Sequence, residues 1–278
     1  DRHPVPAVAR SVAALRAQGH PVAWVLDAHE DVVATAARGA GGVRGWARRR
    51  MVHGEQDEWI READAVVTVS TELADELGRR HRLVERPTVV QNAPQPPRDD
   101  TAVVGLRTRL GLDPDTPLLV YAGSCAAARG VETAVDALPH LDALRGHPDI
   151  HLALVASSSD PAVPGLLERA VAAGLGDRVR RVDYVPADEV VALLRSADVG
   201  LVPLLHRPNH EIALVTKYLE YLHAGVPVVC STVRTMARFT RDNGVGEVFS
   251  TGDPVDLAMA VEEVLVDPQK YRRRIADS

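Results

Sequence analysis

Cysteine is scarce: Cys125 and Cys230 are the only two, far apart and outside any CxxC or Cys/His pattern of metal-ligand spacing. No thiolate metal centre is encoded, and a reducing compartment fits. No apolar run approaches the roughly 18 residues of a membrane span. The opening DRHPVPAVAR lacks the apolar centre of a signal peptide, so the chain reads as cytoplasmic. Positive charge is also missing, the formal net charge being -6 at pH 7. A nucleic-acid binder needs a large basic footprint to displace counterions from phosphates, so that class is set aside. Lysine is rarest of all the charged residues, occurring only at Lys217 and Lys270 among 32 basic residues. Internal repeats and low-complexity segments are absent too.

What remains is an ordinary globular composition, 46% hydrophobic and 25% charged over 278 residues, enough for two domains with a core each. Short apolar runs alternate with longer amphipathic stretches, the pattern of βα units and a mostly parallel sheet, so the fold class is α/β. In the first part the pattern predicts a helix over about 5–18, a strand over 21–27 and a helix from about Gly45 to Glu62. A strand over 65–70 follows, then a helix opened by Ser70 or Thr71 with Glu72 in its first turn, then a strand over PTVVQN.

NAPQPPRDDT (Asn92 to Thr101) has three prolines, a charge cluster and no apolar period, which marks a linker. The expected domains are 1–95 and 96–278. Beyond the linker, strands are expected over PLLVYAG, IHLALVA, VRRVDYV, DVGLVPL and VPVVCS, with helices starting near Gly130, Pro161, Ala187, Thr216 and Val233. That is a complete Rossmann-like domain. The first part, with three strands in roughly 90 residues, is small for such a sheet and begins directly in a helical pattern; it reads as an incomplete domain.

Two segments carry chemistry. YAGSCAAARGVETAVDAL (Tyr121 to Leu138) runs strand, small-residue loop, helix, and in open α/β sheets ligands sit beyond such carboxyl ends, where helix N-termini receive anions. Gly123 allows close approach and Arg129 adds charge. No GxGxxG or GxxxxGK[ST] is present, so neither a dinucleotide fingerprint nor a P-loop is encoded. In PNHEIALVTKYLEYLHAGVPVVCS (Pro208 to Ser231), a spacing of three puts Lys217 and Glu220 on one helix face. A lysine suits phosphate and a carboxylate suits a pair of ribose hydroxyls; the plainer alternative is a surface ion pair.

HEIALVTKYLEYLHAGVPVV resembles the donor-site helix of glycosyltransferase family 4, the retaining enzymes of the GT-B fold, which has two Rossmann-like domains. DAHE (Asp27 to Glu30), EADAVVTVSTELADEL leading to VVQN, the AGSCAAARG loop and YVPADEVVALLRSADVGLVPL match in the same order, from about Pro21 to Asp267. The resemblance implies a nucleotide diphosphate sugar as donor, with Arg129 and Lys217 on the diphosphate and Glu220 on the ribose. Gly123 and Ser124 would line the loop, backbone groups of Leu214, Val215 and Thr216 would help hold phosphate, and Tyr184, Val185 and Pro186 would flank the base. His29 takes the place of a histidine facing the transferred sugar. Two positions depart from the pattern: Ser124 stands where an arginine is common, and Ile212 where many members place a first glutamate, with Glu211 adjacent but expected to point elsewhere.

DPD at Asp113 to Asp115 reads as a turn rather than a metal-binding DxD, since it precedes a strand. GAGGVRG at Gly39 to Gly45 reads as a joint between helices, and RGWARRR (Arg44 to Arg50) as a solvated helix face, with peripheral contact to an anionic membrane or a phosphorylated acceptor as the alternative. No His/Cys/Asp set has metal-ligand spacing, and no cofactor is implied. The expected activity is metal-independent transfer to an unidentified acceptor. A nucleotide-sugar epimerase of the same fold, and a non-catalytic sugar-nucleotide-binding partner subunit, stay open beside it.

Overall fold

The computed structural model describes residues 5–36, 42–95, 103–145 and 150–277. Most of the expected linker and part of the GAGGVRG segment lie outside them. The chain divides into two compact units, 1–92 and 93–278.

The first unit contains α1 (Val5–Ala17), β1 (Val25–Ala28), α2 (Val32–Thr35), α3 (Gly42–Glu62), β2 (Ala65–Thr68), α4 (Thr71–His81) and β3 (Thr88–Val89). Its strands pair in parallel in the order β1-β2-β3. Ser70 caps α4, its side chain accepting from the Leu73 amide, and Glu72 complements the helix dipole as the sequence suggests. The strands are shorter than their apolar runs. β3 pairs over only two residues, because the run PTVVQN leaves the sheet edge as soon as Val90 N has bonded Thr68 O. Helix α3 begins at Gly42 rather than near Gly45; Gly45 is buried inside it, so the end of GAGGVRG is helix.

The second unit contains α5 (Leu106–Arg109), β4 (Leu118–Ala122), α6 (Val131–Arg145), β5 (His151–Val155), α7 (Val163–Ala172), β6 (Val179–Val182), α8 (Val190–Leu194) and β7 (Val199–Val202). It continues through α9 (Pro208–Glu211), α10 (Thr216–His223), β8 (Val228–Ser231), α11 (Arg234–Asn243), β9 (Gly246–Phe249), α12 (Pro254–Val266) and α13 (Pro268–Asp277). Six parallel strands lie in the order β6-β5-β4-β7-β8-β9. The chain starts at the sheet centre with β4, winds out one way, then returns to wind out the other. The carboxyl ends of β4 and β7 therefore flank the topological switch point, where a doubly wound sheet opens a crevice for ligands.

Both faces of this sheet are covered by apolar clusters, one with α6, α7 and α12, the other with α8, α10 and α11. Strand β9 escaped the sequence reading because its apolar run is short and holds Gly246. That glycine is required by packing: a Cβ there would stand 1.8 Å from Val228 O. The DPD segment is a turn, with Thr116 N bonding Asp113 O at 3.2 Å and Arg107 Nη1 donating to Asp113 O at 3.0 Å. Among the described residues no helix is long and apolar enough to cross a membrane.

Candidate functional site

Beyond β4 the backbone turns through Gly123, whose φ of +142° favours glycine. Tyr121 Oη donates to Ser124 O at 2.5 Å. Asp160, from the loop after β5, accepts from Cys125 N at 2.8 Å and Ala162 N at 3.0 Å, and from the Ser124 hydroxyl. The Cys125 amide hydrogen bond, with the Ala162 amide and the Ser124 hydroxyl behind it, holds the Asp160 carboxyl below the usual carboxylate range. A carboxylate thus occupies an amide that an anion would otherwise use, which leaves Arg129 as the cation of this loop. Sequence reasoning missed Asp160; its signal was an Asp-Pro pair opening a helix.

Arg129 ends the short 3₁₀ turn Ala127–Arg129. The turn is fixed against the exit of β7: Leu205 N bonds Ala128 O at 3.1 Å. Gly130 (φ +68°) lies where a Cβ would come within 2.0 Å of Pro203 O, so only glycine lets the two loops at the switch point touch. The Arg129 guanidinium makes no side-chain hydrogen bond or ion pair with the described residues. Burial raises the Tyr121 and Tyr184 hydroxyls above their ordinary value, and the charge of Arg129 opposes the rise at both.

Helix α10 is anchored by two buried tyrosines. Tyr221 Oη accepts from Ala122 N at 2.9 Å and donates to Val120 O at 3.3 Å, tying the helix to the end of β4. Its ring lies 2.5 Å from where a Cβ on Gly200 of β7 would be. Tyr218 Oη bonds Thr240 Oγ1 at 2.6 Å. At the N-terminus, Val215 gives no side-chain cap, so the first amides, at Thr216 and Lys217, keep the partial positive charge of the helix end. Leu214, Val215 and Val185 pack their partly buried side chains against the cluster on this face of the sheet.

Lys217 Nζ stands 2.8 Å from Glu220 Oε2, with side-chain exposures of 30% and 8%. It also lies 5.9 Å above the Tyr184 ring. The separation is that of an ion pair, with the Glu220 side chain buried and that of Lys217 partly exposed. The i,i+3 spacing on its own reads as a surface ion pair; here one member is buried. Arg129, Tyr184, Lys217 and Glu220 are thus brought to one end of the second unit's sheet.

Glu211 points elsewhere, as its register suggests: its carboxylate takes His206 Nδ1 at 2.5 Å and Arg234 N at 2.9 Å, holding α9 to the start of α11. Burial alone would raise this carboxyl, but the Arg234 amide and His206 hold it below its ordinary value. In the first unit, His29 follows β1, its Nε2 lying 2.7 Å from Asp27 Oδ2 with both side chains more than half exposed. The pair opens into a small cleft bordered by Val5, Gln56 and Trp59.

Among the described residues the structure brings together a group that the sequence spacing does not announce, His53, Asp57 and His81, one potential ligand atom of each lying within 4.8 Å of the others. It was invisible because helix packing, not sequence spacing, brings His81 to the other two.

Residues 116–267, more than half of the chain, match the family model described as Glycosyl transferases group 1. The chain belongs to that family. The glycogen synthase of Mycobacterium tuberculosis is 30% identical over 241 residues, 86% of this chain and 54% of that protein. The D-inositol 3-phosphate glycosyltransferase of Xylanimonas cellulosilytica is 30% identical over 231 residues, 80% of this chain and 53% of that protein. The chain therefore spans about half the length of these relatives. Among solved structures, sucrose-phosphate synthase from Thermosynechococcus elongatus superposes with a TM-score of 0.67 at 22% identity, covering 95% of this chain and 66% of that one. HepE of Anabaena, in complex with UDP and glucose, gives 0.69 at 16% identity, with 95% and 67% covered. These likenesses show the GT-B-like α/β fold.

Proposed function

We propose that the protein transfers a glycosyl group from a nucleoside diphosphate sugar to an acceptor, with retention of configuration and without a metal at the donor diphosphate. The observation that carries this reading is the meeting of Lys217 with the buried Glu220 carboxylate, 2.8 Å apart, beside Tyr184 at the end of the second unit's sheet. A carboxylate held by one ammonium keeps acceptor capacity, and a ribose offers paired hydroxyls at the right spacing for it. Lys217, the amides opening α10 and the unpaired Arg129 then face the diphosphate. They stabilise charge as it grows on the leaving group, which is electrostatic catalysis by preorganised groups.

The HepE complexes with UDP and with UDP-glucose are consistent with such a ligand. For the first unit, the family resemblance assigns His29 to the transferred sugar. The exposed face of α3, with Trp46 under Arg50 at 5.7 Å, suits an acceptor or surface that carries phosphate.

Titration of wild type and Glu220→Gln with UDP, GDP and ADP, followed by the melting temperature, tests the assignment. One nucleotide should raise the wild-type midpoint, and the variant should bind it one to two powers of ten more weakly, about 1.5–3 kcal/mol for a charge-assisted hydrogen bond. Equal binding by both proteins would remove Glu220, and with it this site, from the donor.

A further inference from the structure

We infer that His53 and Asp57 of α3 and His81 of α4 form a three-ligand site for one divalent transition-metal ion, Zn²⁺ being the best match, with water completing the shell. His53 and Asp57 are four residues apart on one helix face, and His81, the last residue of α4, is packed against them. The two imidazole centroids are 5.1 Å apart with an interplanar angle of 27°. The rings stack, so His53 turns about its side-chain bonds to bring its lone pair to an ion held at about 2.0–2.1 Å.

The hydrogen bonding points the same way. His81 is fully buried, and both its ring nitrogens face oxygens: Nδ1 lies 3.0 Å from Asp57 Oδ1 and Nε2 3.1 Å from Gln56 Oε1. A neutral imidazole has one N–H, so one nitrogen presents its lone pair to an oxygen. With Nε2–H donated to Gln56, the Nδ1 lone pair and the Asp57 carboxylate converge, and a cation resolves their conflict. Asp57 Oδ1 also receives Arg61 Nη2 at 3.1 Å, while Oδ2 has no partner among the described residues. His53 makes no hydrogen bond with them, so its ring is free to ligate.

Two imidazoles and one carboxylate select Zn²⁺ and its neighbours over Mg²⁺ or Ca²⁺, which prefer all-oxygen shells. Gln56 would be the outer-shell partner that fixes the His81 tautomer. Because Gln56 also borders the His29 cleft, an ion here would tie α3 to α4 and steady one wall of that cleft. All three ligands belong to the first unit, whereas Lys217, Glu220 and Arg129 belong to the second, so the site stands independently of the donor assignment.

The test uses the full chain stripped with chelator, then titrated with Zn²⁺ by calorimetry and with Co²⁺ by visible absorption. Wild type should bind one equivalent, and Co²⁺ should give the intense bands of a four-coordinate site. Mg²⁺ should bind to neither protein. His53→Ala removes a side chain with no hydrogen bond and so leaves the fold in place. It should weaken Zn²⁺ binding by more than the roughly 10–100-fold that an outer-shell loss costs, and Asp57→Asn should do likewise. Unchanged affinity in His53→Ala would place any bound ion elsewhere and overturn the inference. So would absence of Zn²⁺ binding in wild type, which would mean that the Gln56 amide is reversed and donates to His81.

Discussion

The central strand of the second unit, Leu118–Ala122, is buried at all five positions, whereas the central strand of the first, Ala65–Thr68, is buried only at Thr68. In the second unit apolar side chains seal both faces of a six-stranded sheet. The first has three short strands and relies more on charge. Asp31, 6% exposed, is bidentate to Arg80, which also holds Glu76 at 2.5 Å. Asp64 accepts from Trp24 N at 2.8 Å and from Arg16 at 2.5 Å. A wide doubly wound sheet can rely on apolar area, which does not titrate and is not screened by salt; a small sheet with half-exposed strands must draw on interactions that titrate and are screened. The sequence supplies a probe for each unit, since the three tryptophans, Trp24, Trp46 and Trp59, lie in the first and all five tyrosines in the second.

The contrast is tested most severely by Arg80→Ala. Removing one partner of a buried pair strands the other charge, so the first unit should lose about 3–5 kcal/mol. Tryptophan fluorescence in a urea titration should report the loss, with the tyrosine-reported transition unmoved; a common shift of both would show that the units unfold as one. In the second unit, Tyr221→Phe leaves the buried Ala122 amide without its acceptor. It should cost about 1–3 kcal/mol, seen as a lower melting temperature in near-ultraviolet circular dichroism.

Acid should act next. Burial alone would raise the Asp31 carboxyl, but Arg80 and the Ala34 amide hold it below its ordinary value, and Glu76 is lowered by Arg79 and Arg80 against the same opposition. Their stabilisation is complete above the unfolded value near 4 and is lost as pH falls through the folded one. The tryptophan-reported urea midpoint should therefore fall below about pH 4 in wild type and change less in Arg80→Ala. Equal slopes would remove this pair from the acid response. The smallest effect is expected at Arg169→Ala, which breaks an exposed pair with Asp136 in the second unit. Surface pairs contribute roughly 0–1 kcal/mol, so a shift in chemical denaturation beyond that would break the contrast between the two kinds of charge.

Much of the second unit was legible because its signals are local. The runs LLVYA, HLALV and VVCS are long and apolar enough to read as buried strands, and Gly130 and Thr216 sit where helices begin. Helices α12 and α13 and strand β9 were left unread; α12 is apolar over most of its surface, so its period is faint. Lys217 and Glu220 were legible as a pair, through lysine scarcity and helical spacing. That Glu220 is buried was not, since it depends on Tyr218 and Tyr221 drawing the helix onto the sheet.

The sequence by itself determined the alternation of strands and helices, the N-cap at Ser70, the turn at DPD and the resemblance that the family match carries across residues 116–267. Each rests on periodicity or on contacts a few residues apart, which the chain specifies wherever it is placed. Only the tertiary structure decided that Asp160 takes the Cys125 amide, that Glu211 serves α11, and that His81 meets His53 and Asp57. Those partners are between 23 and 35 residues apart along the chain. Their meeting is fixed by which faces of helix and sheet bury together, a property of the packed whole that no single segment encodes.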